Sequence, residues 1–280
     1  MPNPALSWHD GSMAAADPIS SAPASAESPR KRWSEIALSR TVLSLWAWFV
    51  LGVVVIAWTP MVAVVRLVTA PFDKGRYAAG YLFRKLTVVH QTLNPLWRFT
   101  TTGVRIDDPR RPYVVVANHQ SFVDILVISH LPWEMKWLSK ETFFKIPLVG
   151  WMMRMAGDIP LVRGEKKSAV QAMKACAQRL DQRVSVMIFP EGTRSRDGEL
   201  QPFKDGAFRL AIEAGVPVLP LAVNGAYTAL VKGDWRFGVS NAEVRVLDPI
   251  QTDGMTIDDV ARLRDQAHEA IAKALADMRG

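Results

Sequence analysis

His119 and Asp124, in the run Asn118-His119-Gln120-Ser121-Phe122-Val123-Asp124, set an imidazole and a carboxylate four intervening residues apart. An imidazole titrates near neutrality and can take a proton from a hydroxyl. A carboxylate beside it fixes its tautomer and supports the cation that forms. The spacing restricts the geometry. In a regular helix, residues five apart are rotated by about 140°, off a common face. The pair therefore meets only if His119 lies in a turn and Asp124 in the first turn of a following helix. A turn histidine and a helix-terminal aspartate with no shared task fit the same letters.

Two further clusters carry chemistry. Phe189-Pro190-Glu191-Gly192-Thr193-Arg194-Ser195 follows an apolar run. Gly192 permits a tight turn, and Arg194 offers a planar fork that matches phosphate oxygens. Glu191 is placed to order that arginine or to accept a substrate hydroxyl; an ordinary polar turn with an Arg–Glu surface pair is the bland alternative. Lys204, in Phe203-Lys204-Asp205-Gly206, reads as a solvated charge. The third cluster runs from Ser139-Lys140-Glu141 to Leu161-Val162-Arg163. Lys140 and Arg163 fall at strand edges, where both can face an anion. Trp151, Met152, Met153 and Met155 suit either an acyl groove or plain core.

The elements that must position these groups follow from periodicity. Val114–Ala117 reads as a buried strand, so His119 falls at a strand end, where α/β folds display reacting groups. A helix is expected from Val123, a short strand at Met135–Leu138, and a helix over Thr142–Met155 interrupted at Pro147. Asp158–Val162 is extended, Lys166–Gln182 is an amphipathic helix, and Val184–Phe189 is a strand. A helix over Ala207–Ala214, strands at Val218–Val223 and Val244–Val246, and a helix over Thr256–Met278 complete the pattern. Thr256 and Asp259 resemble a capping box. Strands alternating with helices indicate an α/β fold: a central, mostly parallel sheet flanked by helices.

Thr41–Val65 carries no charge. As a helix it reaches roughly 37 Å, against about 30 Å of hydrocarbon. Basic residues flank it on both sides (Arg40 and Arg66 nearest), so the positive-inside rule gives no orientation. Pro60 is a site for a kink or break. A single span and a bent helix that re-enters one leaflet both fit. Residues 75–100 continue as an amphipathic helix at a membrane surface. The expected organisation is a disordered tail over 1–32, a membrane-associated helical segment over 33–100 and an α/β domain over 101–280. The tail has no early basic residue followed by an apolar core and does not read as a usual signal peptide.

Of the 280 residues, 49% are hydrophobic and 22% charged, and the formal net charge is +7. The basic excess suits phosphates and acidic lipid head groups. No nucleic-acid partner is expected, because the basic residues are scattered and no recognisable binding motif appears. The single cysteine, Cys176, lies on an apolar helical stripe and excludes an internal disulfide. No cluster has metal-ligand spacing, and no Gly-rich phosphate loop or Gly-x-Ser-x-Gly elbow is present. His9, His90, His130 and His268 lack acidic or cysteine partners at a telling spacing. Ser121 points poorly at His119 in either regular structure.

Taken in order, the His119–Asp124 block, Lys140 through Arg163, Phe189 through Ser195 and Val216-Pro217-Val218-Leu219-Pro220 resemble the glycerolipid acyltransferases, most closely the 1-acyl-sn-glycerol-3-phosphate acyltransferases. The resemblance covers roughly residues 40–225. It implies transfer of a fatty acyl group from acyl-CoA or acyl-carrier protein to the hydroxyl of lysophosphatidic acid, without an acyl-enzyme. It implies His119 as general base and Asp124 as its orienting partner. Arg194, Lys140 and Arg163 would hold the acceptor phosphate, and Glu191, Gly192 and Thr193 would shape the acceptor pocket. Val216–Pro220 would pack beside the site. No cofactor and no metal are implied; the partners are membrane lipids and the acyl donor. The implied location is a bacterial inner membrane, with the catalytic domain on the cytoplasmic face. Other acceptors fit the same chemistry: glycerol 3-phosphate, a lyso-ornithine lipid or another lysophospholipid. A non-catalytic anionic-lipid-binding membrane protein is the alternative from a different class.

Overall fold

The structure, a computed structural model, describes residues 29–195, 197–231 and 233–280. The expected tail therefore lies outside the described residues except at its end, where Pro29 opens the first helix.

That helix, α1 (Pro29–Thr69), runs unbroken through Pro60. Proline removes one backbone donor from the ladder. In the same turn the Thr59 hydroxyl donates to the Val55 carbonyl at 2.8 Å, adding a bond. The stretch Leu38–Thr69 is long and apolar enough to cross a membrane, and only 22% of its most apolar window is buried. Leu45, Phe49, Val53 and Ile56 are exposed along it.

Helix α2 (Tyr77–Thr92) ends before Asn94-Pro95, and Trp97 opens a strand, β1 (Trp97–Gly103). The expected amphipathic helix over 75–100 is thus shorter. Leu93 and Asn94 close it with backbone bonds to Val89 and Gln91. Proline at 95 bars its continuation. The inner face of α2, from Ala79 to His90, is buried. Indoles strap α1 down: Trp58 donates to the Leu82 carbonyl at 2.7 Å and Trp48 to the Trp235 carbonyl at 2.9 Å.

The remaining elements are β2 (Val114–Ala117), α3 (Asp124–Ile128), β3 (Met135–Lys140), α4 (Val149–Ala156), β4 (Ile159–Leu161), α5 (Lys166–Asp181), β5 (Ser185–Ile188), α6 (Gly206–Ala214), β6 (Val218–Asn224), β7 (Ser240–Val246) and α7 (Val260–Arg279). A 3-10 turn over Glu141–Lys145 and Pro147 separate β3 from α4. The Thr256/Asp259 capping box forms ahead of α7.

Seven strands make one sheet in the order β1-β7-β6-β2-β5-β3-β4, and every neighbouring pair is parallel except β6–β7. Val115 and Ala117 face one core with Leu126, Val127 and Trp137; Val114 and Val116 face the other with Cys176, Phe208, Leu263 and Ile271. A central parallel strand is covered on both faces, which is why its apolar run is continuous rather than alternating. A third cluster joins α1, α2 and α4 through Val50, Val54, Ala79, Leu86 and Met152. Leu38–Gly280 forms one compact unit.

Candidate active site

Strand β2 sits between β5 and β6, with Val116 opposite Ile188 and Pro220. The turns that leave β2 and β5 therefore emerge side by side. Asn118 anchors the first turn to β6: its amide donates to the Val223 carbonyl and its carbonyl accepts from the Val223 N–H, both at 2.8 Å.

His119 lies in that turn and Asp124 opens α3. Their side chains meet, with Nδ1 2.8 Å from Oδ2. The same oxygen accepts the backbone N–H groups of Gln120 at 2.7 Å and Ser121 at 2.8 Å. These bonds wrap the turn around the carboxylate and resolve the helical-wheel conflict. A carboxylate only accepts, so Nδ1 carries the hydrogen and Nε2 carries the lone pair. Phe189 stacks on the imidazole, with ring centroids 3.9 Å apart and planes within 13°.

Glu191, at the end of β5, is buried, and its Oε1 accepts the His119 backbone N–H at 2.9 Å. The Ser195 N–H returns the link by donating to the His119 carbonyl at 2.8 Å. Burial pushes the Glu191 carboxyl up to about 8, with the Asp124 charge adding to the rise and the His119 N–H opposing it. Gly192 has φ 72°, and a Cβ there would lie 2.6 Å from Lys204 Nζ. The positive φ favours glycine; the lysine end is flexible and can move aside.

His119 opens into a cavity of about 990 Å³ whose lining includes Lys140, Arg163, Thr193 and Arg194. Among the described residues, no carboxylate pairs with any of those three cations. Asp124 lies behind the imidazole, while Glu191 and Gly192 lie behind Thr193 and Arg194 and outside the lining. A second, almost wholly apolar cavity of about 350 Å³ adjoins the first, and the two share Trp48, Phe122, Ile125, Phe143 and Leu230. Met152 and Met153 line it. Trp151 is exposed and Met155 packs on the α1–α2–α4 cluster instead. One helical turn cannot aim four side chains at one groove.

Phe189 stacks on the imidazole and Trp48 and Leu230 wall the cavities, roles that none of the sequence motifs marks. Phe189 was within reach, since it closes the strand beside β2. Trp48 lies far from the site in the chain and carries no local signal. His90, His130 and His268 lie elsewhere. His90 Nε2 meets the Ala47 carbonyl at 3.1 Å, His130 Nδ1 meets the Leu126 carbonyl at 2.8 Å, and His268 stands edge-on to Phe203.

A mostly parallel seven-stranded sheet, a histidine–aspartate pair at its strand ends and an apolar helix at the cavity rim define a membrane-associated α/β protein of the acyltransferase type. Residues 98–224 match the family model described as Acyltransferase. The chain is 34% identical over 200 residues to human 1-acyl-sn-glycerol-3-phosphate acyltransferase alpha, covering 71% of each chain. It is 35% identical over 205 residues to a chloroplastic 1-acyl-sn-glycerol-3-phosphate acyltransferase of Brassica napus, covering 73% of this chain and 58% of that protein. It thus spans little more than half the length of that relative. The crystal structure of the 1-acyl-sn-glycerophosphate (LPA) acyltransferase from Thermotoga maritima superposes with a TM-score of 0.71 at 26% identity, covering 87% of this chain and 98% of that one. The chain belongs to the 1-acyl-sn-glycerol-3-phosphate acyltransferase family.

Proposed function

We propose that the protein transfers a fatty acyl group from acyl-CoA or acyl-carrier protein to the free hydroxyl of lysophosphatidic acid, releasing phosphatidic acid and a thiol. The observation that carries this reading is the imidazole bound to Asp124 beside a cavity holding three cations that, among the described residues, pair with no carboxylate. The acceptor phosphate lies among Lys140, Arg163 and Arg194, with Arg194 supplying bidentate contact. Thr193 borders the acceptor, and Glu191 and Gly192 hold the turn that presents it. The adjoining apolar cavity takes a hydrocarbon chain; it has few polar lining groups to leave unpaired.

His119 Nε2 removes the hydroxyl proton as the acceptor oxygen attacks the thioester carbonyl. Asp124 supports the imidazolium that results. Collapse of the tetrahedral intermediate breaks the C–S bond, and the imidazolium returns its proton to the departing sulfur. The nucleophile belongs to the substrate, so no enzyme serine or cysteine is acylated. The buried Cys176, its thiol pushed up to about 12 by burial, is outside this scheme. The acceptor reaches the site from the bilayer that α1 enters, and the donor arrives from water. We place the catalytic unit on the cytoplasmic face of a bacterial inner membrane, the compartment of both donors.

The test is thiol release from acyl-CoA and from acyl-carrier protein with lysophosphatidic acid present. His119→Ala is expected to retain fold and membrane association and to lose about 10²–10⁴-fold in rate. Full activity in that variant would refute the general-base role.

A further inference from the structure

Three arginines from distant parts of the chain converge on a second concave site. Arg76 precedes α2, Arg154 lies near the end of α4, and Arg179 lies near the end of α5. They line a cavity of about 340 Å³ that shares no lining residue with the His119 cavity. A Cβ on Gly157 would lie 3.0 Å from Arg76 Cδ and 3.3 Å from Arg179 Nη2, which shows how closely the two side chains approach. Arg76 Nη1 donates to the Arg154 carbonyl at 2.5 Å.

Among the described residues, no carboxylate forms an ion pair with these three guanidiniums. Of the two carboxylates lining the cavity, Glu141 pairs with Lys145 at 3.1 Å, and Asp158 binds Arg84 and the Trp137 N–H through Oδ1, its charge reaching Arg179 without a hydrogen bond. Arg179 Nη1 donates to Gln182 at 3.0 Å, but its Nε is buried without an acceptor. Arg66, on the last turn of α1, also has a buried nitrogen without an acceptor. Arg76 adopts a left-handed conformation, φ 53° and ψ 36°, which a non-glycine residue holds at a cost. Its guanidinium is lowered from the usual arginine range by burial and by the charges of Arg179 and Arg66. The Asp158 charge offsets only part of three like charges in a half-buried hollow, and a further anion would relieve the rest.

We propose that Arg76, Arg154 and Arg179 form a second phosphate-binding site, separate from the catalytic cavity and taking a phosphomonoester. A concave site with planar guanidinium forks suits a tetrahedral phosphate better than the broad surface of an acidic protein. Leu67, Val68 and Phe72, in and after the last turn of α1, are 76%, 63% and 75% exposed. Apolar side chains next to arginines match the level where hydrocarbon meets head groups, which favours a lipid as the source of the phosphate.

The test is hydrogen exchange on the full chain in detergent micelles, with phosphatidic acid, phosphatidylcholine or inorganic phosphate added. Phosphatidic acid is expected to slow exchange in peptides covering 73–80, 154–160 and 176–182, and phosphatidylcholine is not. Protection by inorganic phosphate as well supports the site and assigns recognition to the phosphate alone. Protection by phosphatidic acid only supports it and assigns the source to the membrane. Arg76→Gln with Arg179→Gln is expected to abolish this local protection and to leave protection at 190–198 in place. Arg154→Gln, at an exposed helix position that endangers folding least, is expected to weaken binding about fivefold or more. Protection by neither phosphate source, or protection unchanged in Arg154→Gln and the double variant, overturns the proposal.

Discussion

Two buried ionisable clusters sit at opposite ends of the parallel strands, and they behave differently. His119, Asp124 and Glu191 follow the C-terminal ends of β2 and β5. Arg84, Glu134, Lys136 and Asp158 gather where β3 begins, with Lys136 paired in register to Val186. In the second cluster Lys136 Nζ lies 2.8 Å from Glu134 and donates to the Arg76 carbonyl at 2.9 Å, while Arg84 binds Asp158. Burial pushes the Glu134 carboxyl up and the Lys136 ammonium down, and each partner opposes the shift of the other. Two cations meet two carboxylates, and the four charges pair with one another. In the first cluster one ring nitrogen is left toward a large cavity. Burial with perturbed ionisation is therefore common to both. The open nitrogen beside cations that pair with no carboxylate among the described residues distinguishes the cluster proposed to react from the structural one.

Asp124→Asn attacks the reactive cluster most directly. An amide in place of the carboxylate can hold the imidazole in the wrong tautomer and cannot support its cation. Turnover should fall about 10²–10⁴-fold with thermal stability nearly unchanged. Comparable losses of stability and rate would place Asp124 with the structural ions.

Lys136→Met probes the other side of the comparison. It leaves the buried Glu134 carboxyl with Arg84, 3.7 Å away, as its remaining cation, and should cost up to about 3–5 kcal/mol in denaturant unfolding. Adding Glu134→Gln should restore part of that loss. A neutral single variant would show that the quartet holds little together.

Arg194→Ala should raise the KM for lysophosphatidic acid about tenfold or more, with kcat less affected, because a ground-state phosphate contact is lost. Steady-state kinetics on a short-chain acceptor would decide it. An unchanged KM would remove Arg194 from the phosphate site.

Glu191→Gln should have the smallest effect at neutral pH, where a carboxyl titrating at about 8 is mostly protonated. The folded state holds this proton more tightly than the unfolded chain does. Its contribution is complete below the ordinary glutamate range and is lost as pH rises towards 8. Glutamine keeps an oxygen for the His119 N–H and removes the titration. Thermal melts of the wild type should therefore decline more between pH 5 and pH 9 than those of Glu191→Gln; parallel curves would contradict the assignment.

Much of this was legible in the residues. The apolar run Val114–Ala117 announced a strand covered on both faces, and His119 fell at its end. Cys176 lay on an apolar stripe and is core. The capping box at Thr256 and Asp259 is present, but it caps a 3-10 turn over Ile257–Asp259, and the last helix begins at Val260. Strand β1 was not legible. Thr100-Thr101-Thr102 carries no apolar alternation, and its partner strand, β7, lies far along the chain. The early part of β7 was missed for the same reason: Ser240 and Asn241 give no local strand signal. Glu191 was read as a partner for Arg194 or a substrate hydroxyl. It serves the His119 backbone, a contact visible only once β2 and β5 are adjacent.

Local chemistry in the chain determined the alternation of strands and helices, the apolar helix and the identity of the candidate reacting groups. These follow from side-chain period, turn residues and intrinsic acidity, which need no distant partner. The tertiary structure alone decided that Asp124 bends back to the imidazole, that Lys140, Arg163 and Arg194 share one cavity, and that Arg76, Arg154 and Arg179 share another. Each of those outcomes depends on parallel pairing between strands far apart in sequence. Such pairing brings charges together whose approach no periodicity records.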